Sequence, residues 1–202
     1  MFGFNLPTNL DLKMVLEILK GDFREMKTLS LDLSTKSSGW AIFKDKDLQD
    51  SGCFVDGNAN VLKRIIYMTS RIEELICTND IDEVIIEEVL PEDVRHNQKV
   101  YKSLMYLQAS VVLMLFKHNL NANFFTSSEW RKKCGIHTGA GIKRDTLKAA
   151  DINFVKEHYN KDVNDDIADA ICIGYAYTNK AIPVTTKKEK PTTIIIDDFE
   201  FK

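Results

Sequence analysis

The chain lacks most of the features that would assign it at a glance. Its four cysteines, Cys53, Cys77, Cys134 and Cys172, stand far apart with no C-x-x-C pair among them. That spacing signals neither a zinc site nor a disulfide framework, and the thiols read as reduced groups of a cytosolic protein. The strongest apolar run, VVLMLF at 111–116, is far short of the ~20 residues that cross a bilayer. Met1 to Lys27 show no basic start followed by an apolar stretch, which argues against a secretory signal. No internal repeat is found, so a solenoid or repeat array is excluded.

An overall excess of basic charge is also missing: 27 Lys and Arg face 30 Asp and Glu, a net charge of −3. The average hides an uneven chain. Residues 95–148 carry ten Lys and Arg against two acids, Glu129 and Asp145, while the remainder holds seventeen basic and twenty-eight acidic residues. That basic segment is either a solvated face or a positive field suited to nucleic-acid phosphates. With 44% hydrophobic residues in 202, the chain has enough apolar matter for one sizeable core. We expect one domain over 26–180, an N-terminal extension over 1–25 without an assigned role, and a flexible C-terminal tail over 181–202, polar and Pro-bearing before the acidic, apolar IIIDDFEFK.

Periodicity supplies the elements. KTLSLDL alternates Leu29, Leu31 and Leu33 with Ser30 and Asp32, the period of a half-buried strand; after the loop STKSSG, the stretches WAIF and SGCFV complete a three-strand antiparallel meander. NVLKRIIYMTSRIEELI has helical spacing, DEVIIEEVL is a short buried-strand run, and QKVYKSLMYLQASVVLMLFKHN is a long helix from Gln98 to Asn119, apolar on more than one side. NANFFT predicts a fifth strand, SSEWRKKCG a short capped helix ending at Gly135, and IKRDTLKAADINFVKEHY and VNDDIADAICIGYAY two further helices. The expected fold is α/β: a mixed five-stranded sheet, with the first, fourth and fifth strands parallel and helices on both faces.

The acids raise the functional question. Asp165 and Asp166 suit the positive end of the last helix, and Asn164 or Asp165 can cap it. Asp169, one turn beyond Asp166 and between Ala168 and Ala170, sits where the helix turns inward and is not explained by capping. Asp32 is in a strand, where Asp is depleted, and Glu87 ends another. If these strands are adjacent and parallel, Asp32, Glu87, Asp166 and Asp169 gather in one place. Four carboxylates together require cations, and all-oxygen ligands point to Mg²⁺, or Mn²⁺, rather than zinc. Two ions ~4 Å apart are a standard device for hydrolysing a phosphodiester. Each acid also has an ordinary reading, as a turn residue, a solvated strand end or a cap.

The segments LSLDLSTKSSGWAIF, VIIEEVLPE, GIKRDTLKAA and NDDIADAICIGYA resemble, in order, the signature segments of RuvC-like Holliday-junction resolvases in the ribonuclease H-like superfamily, the phage-type members most of all. The resemblance runs from about Met26 to Tyr177. It implies a five-stranded ribonuclease H-like fold, two Mg²⁺ or Mn²⁺ per site held by Asp32, Glu87, Asp166 and Asp169, and Lys143 as a lysine near the scissile phosphate. It implies a homodimer that resolves four-way junctions and other branched DNA by paired nicks, in the cytoplasm, that of a bacterial host if phage-encoded. Arg131, Lys132, Lys133, Lys143, Arg144 and Lys148 are then expected on phosphates, with Arg95 and His96 toward the junction centre. The helix Gln98–Asn119 is either the dimer interface or wholly buried in the monomer. Asp32-Leu33-Ser34 replaces the Asp-Pro-Gly frequent in the family, and Leu90-Pro91 stands where many bacterial members have an aromatic wedge. Other readings are a nucleotide-binding ATPase or kinase-like domain of the related actin-like fold, although STKSSG is poor in glycine for a phosphate cradle, a non-catalytic junction-binding protein, and a nuclease of structured RNA.

Overall fold

The structure, a computed structural model, describes residues 25–91, 97–139 and 141–179. The predicted N-terminal extension, apart from Glu25, the tail 181–202, and Arg95 and His96 lie outside the described residues.

Alternating apolar residues build the sheet, and turn chemistry ends each strand. The elements are β1 (Lys27–Asp32), β2 (Ser37–Lys44), β3 (Asp47–Val55), α1 (Val61–Asn79), β4 (Glu83–Glu87), α2 (Gln98–Lys117), β5 (Ala122–Phe125), α3 (Ser127–Lys133), α4 (Arg144–Tyr159) and α5 (Asp165–Thr178). They form one sheet in the order β3-β2-β1-β4-β5. The β1–β2 and β2–β3 pairs are antiparallel, and the β1–β4 and β4–β5 pairs are parallel. This is the expected mixed sheet, with β1 at its centre.

Three predicted boundaries differ. Part of the expected loop STKSSG is strand: Ser37, Ser38 and Gly39 open β2, and the connection from β1 is the four residues 33–36. The Ser38 hydroxyl closes that turn, accepting from the Ser34 amide at 3.0 Å and donating to the Ser34 carbonyl at 2.5 Å. The polar DLQD also belongs to β3, because an edge strand needs few buried side chains. α2 ends at Lys117, two residues early, because Asn119 adopts a positive φ of 56°.

Strand alternation sends β1, β2 and β4 residues to two faces. Leu29, Leu31, Ile42, Val84 and Ile86 pack with Ile65, Met68 and Ile72 of α1 and Leu107, Val111 and Leu115 of α2. On the other face Ala41, Phe43 and Ile85 pack with Trp130, Phe154 and the α5 residues Ala168, Ala170 and Ile171. α2 is not wholly buried: Tyr106, Leu113 and Phe116 are exposed. Among the described residues no helix is long and apolar enough to cross a membrane.

Candidate metal centre

Asp32 and Glu87 are the last residues of two adjacent parallel strands. The register pairs Leu31 with Ile86, so the next residue of each strand stands beside the other at the same sheet edge. By alternation Glu87 shares the face of Ile85, toward α5, and Glu88 does not follow it. The two side chains touch. The Asp32 carboxyl titrates well above the usual carboxylate range because of its enclosure, then the charges of Glu87 and Asp166, with a hydrogen bond to Glu87 adding to the effect; Lys148 opposes it.

α5 brings the other two acids. It lies close on the sheet because small residues let it: a Cβ on Gly39 would overlap the Asp166 backbone, and one on Gly174 would overlap Phe43 and Ser30. The Ser30 hydroxyl donates to the Ala170 carbonyl at 2.7 Å, tying β1 to the helix. The helix cap is Asn164, whose side chain accepts from the Ile167 amide at 3.0 Å. Capping therefore requires none of the three aspartates. Asp165 pairs with Lys148. Asp166 accepts a hydrogen bond from Ser37, whose oxygen is 3.0 Å from the Cys53 sulfur. Asp169 points inward and is only 8% exposed; its Oδ1 is buried without a hydrogen-bond partner. Its pKa is pushed up to about 8, by burial first and then by Asp32 and Asp151.

These acids line a cleft of about 900 Å³ that also takes in Lys36, Arg64, Lys99, Arg131, Arg144 and Lys148. A hard divalent cation suits the donor set, which is all carboxylate. The orphaned Asp169 oxygen and the elevated Asp32 carboxyl are what such a cluster shows when short of positive charge. As the described side chains stand, no three of them form a ready-made cage.

The basic residues divide. Lys132, Lys143 and Arg144 are exposed, and Lys133 lies over the Phe125 ring at 4.5 Å. Lys143 occupies the N-cap position of α4 with no side-chain cap bond and does not line the cleft, whereas Lys148 does. Arg131 is drawn inside, its side chain 11% exposed and forked on Asp151. Sequence reasoning missed Ser37, Asp151 and Trp130, whose Nε1 donates to Glu87 Oε1 at 3.4 Å. Asp151 did carry a signal: an acid beside two alanines in an apolar helix face, as at Asp169.

No protein-family profile matches the sequence, and no curated protein matches it. Solved structures do match in fold. Thermus thermophilus RuvC in complex with a Holliday junction substrate superposes with a TM-score of 0.61 at 11% identity, over 75% of this chain and 92% of that one. The yeast mitochondrial Holliday junction resolvase Ydc2 gives a TM-score of 0.53 at 9% identity, over 85% of each chain. At these identities the likeness is one of architecture: the chain has the ribonuclease H-like fold of RuvC.

Proposed function

We propose that the chain is a divalent-metal-dependent endodeoxyribonuclease of branched DNA, four-way junctions foremost, with Asp32, Glu87, Asp166 and Asp169 as ligands of two Mg²⁺ or Mn²⁺. One observation carries this reading: a single cleft is lined both by the four acids and by Lys36, Arg64, Lys99, Arg131, Arg144 and Lys148. Carboxylates alone would repel a phosphate backbone, and lysines alone would bind DNA without acting on it. Asp32, Glu87, Asp166 and Asp169 would hold a pair of hard cations, which would supply activation of water and stabilisation of the leaving oxygen.

The protein's own groups do the rest. Arg144 and Lys148 hold phosphates at the mouth of the cleft, with Lys132, Lys133 and Lys143 extending the contact outside it. Ser37 orients Asp166, and Trp130 orients Glu87. The fold of two proteins whose names state a Holliday junction substrate or resolvase supports the choice of branched DNA. A homodimer with two such sites suits the approximate two-fold symmetry of a junction. Tyr106, Leu113 and Phe116, exposed at 58%, 65% and 79% on α2, support that helix as its interface.

The test is incubation of the protein with labelled four-way junction, splayed duplex, linear duplex and structured RNA, with Mg²⁺ or with EDTA. Paired nicks on the junction that vanish in EDTA are expected. Equal cutting of linear duplex, or no cutting with any divalent ion, would overturn the proposal; binding without cutting would point to a junction-binding protein, and preferred cutting of RNA to a different substrate.

A further inference from the structure

Asp151 is fully buried in the middle of α4, 0% exposed, in the layer of Trp130, Phe154 and Ile171. A carboxylate in such a place is costly unless it is paired and hydrogen-bonded. Its partner is Arg131: Nε lies 3.2 Å and 3.1 Å from the two carboxylate oxygens, and Nη2 is 2.8 Å from Oδ2. The guanidinium also lies 4.1 Å from the centre of the Trp130 ring. The same Nη2 stands 3.8 Å from Asp169 Oδ1. That is near enough for attraction and too far for a hydrogen bond, and this oxygen is the buried one without a partner. The charge of Asp151 also bears on Asp169, opposing its ionisation.

The arrangement is anchored from both sides. α3 is fixed by a capping box between Thr126 and Glu129, so Trp130 and Arg131 leave it in defined directions, one toward Glu87 and the other toward Asp169. An arginine free of Asp151 would close on Asp169 and form the forked pair that guanidinium and carboxylate favour. It would then occupy the oxygen a cation needs. By taking the fork for itself, Asp151 keeps Arg131 one contact away from Asp169.

We propose that Asp151 is a positioning residue of the metal centre, acting through Arg131. It holds the guanidinium close enough to steady the Asp169 carboxylate when no cation is bound, and far enough away that the carboxylate stays open to one. This rests on the reading of the four acids as metal ligands. It also gives Arg131 a role inside the protein in place of the phosphate contact expected from its charge.

The experiment measures Mn²⁺ binding by electron paramagnetic resonance without DNA, junction affinity in EDTA over a range of salt, and melting temperature. Wild type is compared with Asp151→Asn, Arg131→Lys, Arg131→Gln and the double variant Asp151→Asn/Arg131→Gln. Asp151→Asn is expected to weaken Mn²⁺ binding by ~10–100-fold, the range for groups that orient metal ligands. The double variant should recover part of that loss, because the competing guanidinium is gone. Arg131→Lys should bind Mn²⁺ better than Arg131→Gln, and neither should change the salt slope of junction binding.

A slope reduced by ~0.9 in Arg131→Gln, with unchanged Mn²⁺ binding, would overturn the inference and return Arg131 to the phosphates. A drop in melting temperature alone, with slope and Mn²⁺ binding both unchanged, would overturn it too, leaving a structural ion pair. If Asp151→Asn does not fold, the order of the two Arg131 variants decides. A wild type that binds no Mn²⁺ overturns the metal centre itself; a wild type that binds it while every variant matches it overturns only the role of Asp151.

Discussion

The two faces of the sheet are built to different rules although β1 serves both. Toward α1 and α2 the core is mostly aliphatic, and among the described residues no buried acid lies in it: Leu29, Leu31, Val84 and Ile86 meet Met68, Ile72, Leu107 and Val111. Toward α5 the sheet presents Ser30, Ala41 and the hydrogen of Gly39, and the helix answers with Ala168, Ala170 and Gly174. Buried Asp151 and Asp169 both lie on this second side. The first face supplies apolar area and tolerates exchange of one large side chain for another. The second gives up side-chain volume for close backbone approach, and that approach delivers the first turn of α5 to the ends of β1 and β4.

The strongest test of this contrast is chemical. Asp166→Asn, Asp169→Asn and Glu87→Gln are expected to lower the nicking rate by more than the ~100-fold upper range for groups that merely orient ligands. Asp165→Asn and Glu88→Gln should retain most activity, because Asp165 is committed to Lys148 and Glu88 lies past the end of β4. All five should melt cooperatively. Near-normal nicking by Asp166→Asn would reduce the aspartate run to an acidic helix start.

A second test sets stability against geometry. Leu107→Ala, on the aliphatic face, should cost about 2–5 kcal/mol of stability and leave nicking per folded molecule unchanged. Gly39→Ala forces α5 away from β2 at Asp166; overpacking of this kind costs about 1–3 kcal/mol, and here nicking per folded molecule should fall as well. Chemical denaturation together with rates normalised to folded protein checks both. Equal normalised rates would erase the distinction between the faces.

A third is pH. Asp32 and Asp169 titrate above the ordinary carboxylate range when folded, Asp169 up to about 8. Between about pH 4, where an unfolded aspartate ionises, and about pH 8 the folded state holds protons that the unfolded state has released. Stability in EDTA should therefore fall as pH rises through that window. Mg²⁺ should raise the melting temperature more at pH 8 than at pH 5, since a cation needs the ionised carboxylates. A melting temperature in EDTA that rises from pH 5 to pH 8 would contradict the crowding of the acids.

The smallest effect concerns the exposed rim. Lys132→Ala with Lys133→Ala should lower the salt slope of junction binding by up to about 1.8, since each neutralised phosphate contributes ~0.9, and leave Mn²⁺ binding unchanged. An unaltered slope would place the DNA surface elsewhere.

Much of this was written locally in the sequence. Alternation in KTLSLDL and the short run of DEVIIEE marked β1 and β4 and their acids, and Gly135, with a φ of 73°, stops the chain after α3 as expected. What escaped depends on contacts between distant segments. DLQD falls outside the strand expected at SGCFV because it lies at a sheet edge, where propensity has little hold. Lys143 and Lys148 look interchangeable in a basic segment, but one precedes α4 and the other lies a turn inside it, toward the cleft. Arg131 reads as a surface charge until Asp151, twenty positions away, is seen beneath it. A periodicity shows that a helix has an inner face and says nothing of which helix shares it.

The close seat of α5 on β1 and β2 has a consequence in time. A chain is synthesised from its N-terminus, so Asp32 and Glu87 are already paired or waiting while Asp166 and Asp169 have yet to be joined to it. α5 follows all other described elements, and its docking is a contact of very long sequence separation, the kind that forms late. A nascent or half-folded chain thus carries the basic segment and two of the acids without the full set. Under the proposed function, the ability to cut DNA arises in one step, with α5, and a chain that stops short of that helix binds DNA without cutting it.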